Sequence, residues 1–132
     1  MKTFDISSWV TDRAIEAPQK AAIRFEGQET TYAELENRIA QISGCFTGLL
    51  NIRPGDRVSF LGQNCPEILE LLFACARVGA IFVPLNARMT TEQLRFFLQN
   101  AKPRCLFADA EFLKSAKACL QDSPDIKLIR FG

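Results

Sequence analysis

Histidine is absent from all 132 residues, and no other feature of the composition removes as much chemistry. Without an imidazole, Ser–His and Cys–His nucleophiles, His zinc sites and His phosphorelays are excluded within this chain. An excess of either charge is also missing: sixteen Lys plus Arg face fifteen Asp plus Glu, for a formal net charge of +1. A surface that tracks phosphates normally shows as a basic excess, so no nucleic-acid partner is expected. The five cysteines, Cys45, Cys65, Cys75, Cys105 and Cys119, contain no CxxC pair, which argues against a structural zinc or a thioredoxin-like site. Four of them sit in apolar runs, where free cysteine behaves as a small hydrophobe, and a reducing, cytoplasmic compartment is expected. Long hydrophobic runs are lacking too. The longest uncharged apolar stretch, Val78 to Ala87, is about half of the ~20 residues a membrane span requires, and Asp5 interrupts the N-terminus, so neither a span nor a secretory signal is expected.

What remains is 48% hydrophobic and 23% charged, enough for a core that buries roughly two thirds of the unfolded chain's surface. Two periodicities alternate along it. Ile6, Trp9, Val10 and Ala14 form a helical stripe that must stop before Pro18. Ala21 to Phe25 reads as a strand, Glu26-Gly27-Gln28 as a turn, and Glu29 to Thr31 as a returning strand. Thr31-Tyr-Ala-Glu34 is a capping box, and the helix after it places Leu35, Ile39, Ile42, Phe46 and Leu49 on one face.

Beyond Pro54-Gly55 the pattern becomes repetitive. Arg57 to Leu61 reads as a strand, and Asn64-Cys-Pro-Glu67 as a capping box with an early proline. The helix it opens should end at Gly79 and be deeply buried, with Glu67, Glu70 and Arg77 as its narrow polar stripe. Ile81 to Leu85 is a continuous apolar strand. Thr90 to Gln93 caps a helix whose Leu94, Phe97, Leu98 and Ala101 share a face, and Cys105 to Ala108 is a strand. Phe112, Leu113, Ala116 and Leu120 mark a last helix before a strand at Lys127 to Phe131. Strand centres near Ser59, Val83, Leu106 and Ile129 are separated by 24, 23 and 23 residues, the spacing of βαβ units. The fold class expected is α/β, a mainly parallel sheet with helices on both faces, preceded by an N-terminal helix and a short β-hairpin. Residues 1–132 are read as a single subdomain, in which 1–50 hold the helix, hairpin and long helix and 51–132 the βα units.

Ligands of such folds bind at the carboxyl ends of the strands, here Gly62-Gln63-Asn64, Leu85-Asn86-Ala87-Arg88, Ala108-Asp109 and Gly132. Neither GxGxxG after the first strand nor GxxxxGK[ST] occurs, so no dinucleotide or Walker-type cradle is present. Ser43-Gly-Cys-Phe-Thr-Gly48 has the residue types of a phosphate loop but lies mid-helix, where small residues that let the helix pack closely are the favoured reading. Asp109 is read as a helix N-cap rather than a phosphoacceptor, and Arg77 as a cation complementing the end of its helix. Asn86 and Arg88 are the better candidates for touching a ligand or a neighbouring domain, although loop hydrogen bonding is favoured even there. Lys114 and Lys117 read as solvated surface rather than an anion grip. The residues alone support no reaction: no catalytic, cofactor-binding or metal-ligating residue is assigned.

Three stretches resemble the N-terminal part of the adenylate-forming (AMP-binding) superfamily, in its acyl-CoA synthetase branch. They are Thr31-Tyr-Ala-Glu-Leu35, then Pro54-Gly-Asp-Arg-Val58 leading to Leu61-Gly-Gln-Asn-Cys-Pro-Glu67, and finally Phe73-Ala-Cys-Ala-Arg-Val-Gly-Ala-Ile-Phe-Val-Pro-Leu-Asn86 followed by Arg88-Met-Thr-Thr-Glu92. The third is the most specific, matching G-A-x-x-x-P-L-N-x-R without a gap. The resemblance spans Ala21 to Phe131. It implies an enzyme that activates a carboxylic acid, with fatty acids the first expectation, using ATP and Mg²⁺ to form an acyl-adenylate that is passed to coenzyme A. It also implies that the triphosphate loop, the acidic Mg²⁺ ligand, the ribose-binding Asp and the C-terminal-domain Lys belong to later polypeptide. The chain is therefore expected to be inactive scaffold whose partner is the remainder of the enzyme, with exposed apolar surface that favours self-association. Two alternatives stay open: a stand-alone α/β binding or interaction module, and an aryl- or amino-acid-activating member of the superfamily.

Overall fold

A computed structural model describes residues 5–132. Its contacts divide the chain into two compact units: one runs to Pro54 and adds Cys65–Ala80, and the other comprises Gly55–Asn64 and Ile81–Gly132.

The first unit opens with a 3-10 turn at Ile6–Ser8, capped by the Asp5 carboxylate, which accepts from the Ser7 N–H at 2.8 Å. Helix α1 (Trp9–Glu16) follows and stops before Pro18. Strands β1 (Ala21–Phe25) and β2 (Gln28–Thr31) form an antiparallel hairpin. Its loop is shorter by one residue than the sequence suggests. Gln28 pairs with Phe25, leaving only Glu26 (φ 50°) and Gly27 (φ 77°) in the turn; two successive left-handed residues match the twist of the flanking strands.

Helix α2 (Tyr32–Gly48) starts with the expected capping box: the Glu34 N–H donates to Thr31 Oγ1 at 3.2 Å and the Thr31 N–H to Glu34 Oε2 at 2.8 Å. Leu35, Ile39 and Phe46 are buried. Leu49 is not on that core face. It is 78% exposed, because it lies past the last helical residue, where the stripe has ended.

Helix α3 (Pro66–Val78) departs from expectation twice. Pro66 takes its first position and Cys65 the N-cap, with no side-chain cap bond, so the box predicted from Asn64 and Glu67 does not form; proline at N1 fixes the start one residue later. Nor is α3 buried all round. Leu71, Ala74 and Cys75 are inside, Leu69 is exposed, and the polar stripe turns inward at Glu70. The Arg38 Nε on α2 donates to Glu70 Oε1 at 3.2 Å. Arg77 donates to Glu36 on α2, to Thr11 Oγ1 on α1 at 2.8 Å and to the Ser7 carbonyl at 3.4 Å. Arg77 stands in the last turn of α3, as expected of a cation complementing that helix end, and its bonds in addition tie α3 to three other helical segments. Gly79 closes α3 at φ 75°; a Cβ there would lie 3.2 Å from Pro54 Cβ, so both backbone and space favour glycine.

The second unit is a four-stranded parallel sheet of order β4-β3-β5-β6, formed by β3 (Arg57–Leu61), β4 (Ile81–Pro84), β5 (Cys105–Asp109) and β6 (Lys127–Phe131). The expected α/β class and parallel sheet are present. Helices α4 (Thr91–Ala101) and α5 (Leu113–Cys119) pack on one sheet face through Leu61, Leu94, Leu98, Leu106, Ala108, Ala116 and Cys119. The α4 capping box of Thr90 and Gln93 is formed. Phe97, expected on the buried stripe, is 44% exposed, because only Leu94 and Leu98 point squarely at the sheet. Strand β4 lies at the sheet edge with Ile81 47% exposed, so its apolar run does not mark a strand covered on both sides. The edge position also explains Pro84, which has no N–H for a ladder.

Candidate functional site

The strand order reverses at β3: the chain steps from β3 to β4 on one side, then crosses back through α4 to β5 on the other. Open α/β sheets bind ligands outside the carboxyl ends of the strands at such a reversal. A shallow depression of about 620 Å³ lies there, lined by Gly62, Gln63 and Asn64 after β3, Leu85 to Arg88 after β4, and Phe112.

Each wall follows from local sequence. At Gly62 a Cβ would meet Phe60 Cζ at 3.0 Å and Asp109 Cβ at 3.3 Å, so glycine lets the chain leave β3 between two neighbours. Phe60 in turn stacks on Phe131, with ring centroids 5.2 Å apart. Asp109 caps the 3-10 turn Ala110–Phe112, accepting from the Glu111 N–H at 3.4 Å, which confirms its structural reading and brings Phe112 to the rim. Phe112 was legible only as part of an apolar helical stripe; nothing in the sequence marks it as facing a cleft.

After Pro84, the Leu85 N–H still donates to the Phe60 carbonyl at 2.8 Å, and the chain then turns. The Met89 N–H donates to the Asn86 carbonyl at 3.0 Å, and the Arg88 N–H to Asn86 Oδ1 at 2.9 Å. Asn86 therefore does what the loop reading says. Arg88 does so through its N–H, but its side chain is exposed and makes no ion pair or hydrogen bond among the described residues. The depression thus offers one free cation, the polar side chains of Gln63, Asn64 and Asn86, and apolar patches at Leu85 and Phe112. It can hold an anionic group beside an apolar one. It contains no nucleophile and no general base.

The other singled-out residues do not converge on it. Ser43 to Gly48 remain helical, and the Ser43 and Thr47 hydroxyls donate back to the Ile39 and Ser43 carbonyls at 2.8 and 3.3 Å, so there is no phosphate loop. The close-packing reading fails as well, since a Cβ at Gly44 or Gly48 would meet nothing within 4 Å. Lys114 and Lys117 are exposed on α5. The five cysteines form no disulfide among the described residues. Burial, with a bond to Glu67, pushes the Cys65 thiol up to about 12, and burial alone pushes Cys105 up to about 12 and raises Cys119; thiols so protonated are poor nucleophiles. Among the described residues no group of three or more His, Cys, Asp or Glu could hold a metal ion, and no helix is long and apolar enough to cross a membrane.

Comparison with known proteins places these features. The profile of the family described as AMP-binding enzyme matches residues 10–130. A feruloyl-CoA synthase from an Amycolatopsis species is 38% identical over 118 residues, covering 89% of this chain and 24% of that protein. An indoleacetate–CoA ligase from Aromatoleum aromaticum is 33% identical over 128 residues, covering 97% of this chain and 25% of its own length. Among solved structures, o-succinylbenzoate CoA synthetase from Bacillus subtilis, in complex with its acyl-adenylate intermediate, superposes with a TM-score of 0.81 at 26% identity, over 93% of this chain and 24% of that one. The chain spans about a quarter of the length of the curated relatives it matches.

Proposed function

Because this chain belongs to the family of AMP-binding enzymes, we propose that it is the N-terminal portion of an ATP-dependent acid–CoA ligase. In the proposed reaction a carboxylate attacks the α-phosphorus of ATP, expelling pyrophosphate, and the thiol of coenzyme A then displaces AMP from the acyl-adenylate. The observation that carries the reading is the family match over 10–130, within which lies the ungapped Gly79-to-Arg88 signature. The reacting groups are assigned to the rest of the enzyme, which is this chain's principal partner. Among the described residues no three His, Cys, Asp or Glu side chains come together as a metal site would need, so no step through Mg²⁺ is assigned to them.

Fatty acids are one candidate substrate class. Relatives named for ferulate and indoleacetate favour the aryl-acid alternative. The one binding contact assigned to this chain is Arg88, whose unpaired guanidinium at the mouth of the depression suits a phosphate of ATP or of coenzyme A. Five cysteines without a disulfide among the described residues suit a reducing, cytoplasmic setting. Exposed Trp9, Ile15 and Leu49 in the first unit, and Phe96 and Phe97 in the second, give the isolated chain apolar surface through which to self-associate.

The test is a chimera in which residues 10–130 replace the matching segment of the feruloyl-CoA synthase, assayed for pyrophosphate release with ATP, coenzyme A and a panel of fatty and aryl acids. The chimera should turn over and the 132-residue chain alone should not. A folded but inactive chimera, or turnover by the chain alone, overturns the proposal.

A further inference from the structure

Arg88 is useful to an anion only if it is held at the mouth of the depression, and the side chain holding it there is identifiable. We infer that Asn86 is a positioning residue for Arg88, and that its side chain raises the chain's affinity for phosphate groups without touching them. This rests on the assignment of Arg88 to a phosphate.

Three observations carry the inference. First, Asn86 Oδ1 accepts from the Arg88 N–H at 2.9 Å while the Asn86 carbonyl accepts from the Met89 N–H at 3.0 Å. One residue therefore fixes the two peptide groups that flank the Arg88 side chain. Second, no other hydrogen bond or ion pair does among the described residues: Ala87 and Met89 on either side pack against the apolar cluster of the sheet face, which anchors the turn without fixing the direction of its polar groups. Third, both ends of the turn are anchored. Leu85 is bonded to the edge of β3 at the Phe60 carbonyl, and Thr90 begins the α4 capping box, its N–H donating to Gln93 Oε1 at 3.0 Å. The four-residue link between these anchors, Asn86 to Met89, has a single side-chain hydrogen bond, the one to Asn86 Oδ1. An Asx turn of this kind substitutes for a backbone turn and limits where the following side chain can point. Removing it frees the Arg88 backbone, and the ordering must then be supplied by the bound anion.

The experiment is a titration of the 15N-labelled full 132-residue chain with pyrophosphate, ATP and coenzyme A in separate arms, following the Arg88 Nε–H signal. The wild-type signal should shift, and the arm that saturates at the lowest concentration identifies the phosphate source. Asn86→Ala should weaken that binding about 2- to 10-fold, the range expected for loss of one turn hydrogen bond, and should speed exchange of the Arg88 amide. Asn86→Ser, which can still accept, should recover most of the affinity. In an Arg88→Ala background, Asn86→Ala should have no further effect on residual binding. Wild-type affinity in Asn86→Ala, alongside weakened binding in Arg88→Ala, overturns the positioning role and leaves the Arg88 assignment intact. Absence of any Arg88 shift with all three probes overturns both.

Discussion

Replacing Gly44 by alanine should stabilise this protein, and the size of the gain follows from its surroundings. Gly44 lies within α2, is exposed, and has a helical backbone rather than a left-handed one. A Cβ there meets nothing within 4 Å, so the substitution makes and breaks no contact. Only intrinsic preference remains: glycine is about 1 kcal/mol worse than alanine in a helix interior, through the backbone freedom it loses on folding. For a cooperative unit of this size that corresponds to roughly 4 °C in Tm. Gly79→Ala is the opposing control. Its backbone sits at φ 75° and its Cβ would approach Pro54 at 3.2 Å, so a loss of about 1–2 kcal/mol is expected from the left-handed conformation alone. Urea unfolding followed by far-UV circular dichroism and by the fluorescence of Trp9, the single tryptophan, measures both at unchanged m-value. A Gly44→Ala variant that is less stable than the parent, at protein concentrations where the parent is monomeric, would refute the open-surface reading of this helix face.

Two further substitutions probe the parts of the fold that carry charge or bury thiols. Arg77→Ala should cost on the order of 2–3 kcal/mol in the same urea assay, because it leaves the three-quarters-buried Glu36 carboxylate without its cation; an exposed pair such as Arg24–Glu29 should cost well under 1 kcal/mol. Since Cys105 is raised from 9.0 to about 12 in the folded chain, the unfolded state loses its thiol proton first. Stability should hold below pH 9 and fall between about 9 and 12, and Cys105→Ala should flatten that fall; an unchanged slope would remove burial of this thiol as its cause.

The class of fold was legible because βαβ spacing and helix ends are local properties. Thr31 and Thr90 announce their helices through bonds made within four residues, and Gly79 announces an end through its own backbone. The errors arose where the deciding partner is distant in sequence. Arg77 does stand in the last turn of its helix as read, but its bonds to Thr11 and Glu36, 66 and 41 residues away, are invisible in the sequence. Glu70 looks like solvent-facing polarity until Arg38 comes within 3.2 Å. The apolar run at Ile81 to Leu85 reads as a strand covered on both faces, and only the sheet order reveals it as an edge. The candidate site was half legible for the same reason: strand ends can be read from the sequence, but which of them meet depends on topology.

The most specific stretch of the sequence can be understood as a device for delivering one side chain. Gly79 lets α3 end and reverse without a linker, and the Ala80 N–H closes on the Cys75 carbonyl at 2.9 Å. Four residues of β4 then cross the sheet edge in register with β3, Ile81 opposite Arg57 through Pro84 opposite Phe60. Pro84 is tolerable only because that edge is open, and by lacking an N–H it helps end the strand where the turn must begin. Asn86 closes the turn through its own side chain. Of the ten residues from Gly79 to Arg88, eight have tasks accounted for by ending a helix, pairing or turning, and Ala87 packs against the apolar cluster of the sheet face. The N–H of Arg88 closes the turn, and only its side chain makes no hydrogen bond or ion pair among the described residues. A side chain without a structural partner at the end of so tightly specified a path is consistent with the phosphate contact proposed for Arg88, and that proposal predicts that spacing changes between Gly79 and Arg88 should be tolerated far worse than substitutions on the solvent side of β4.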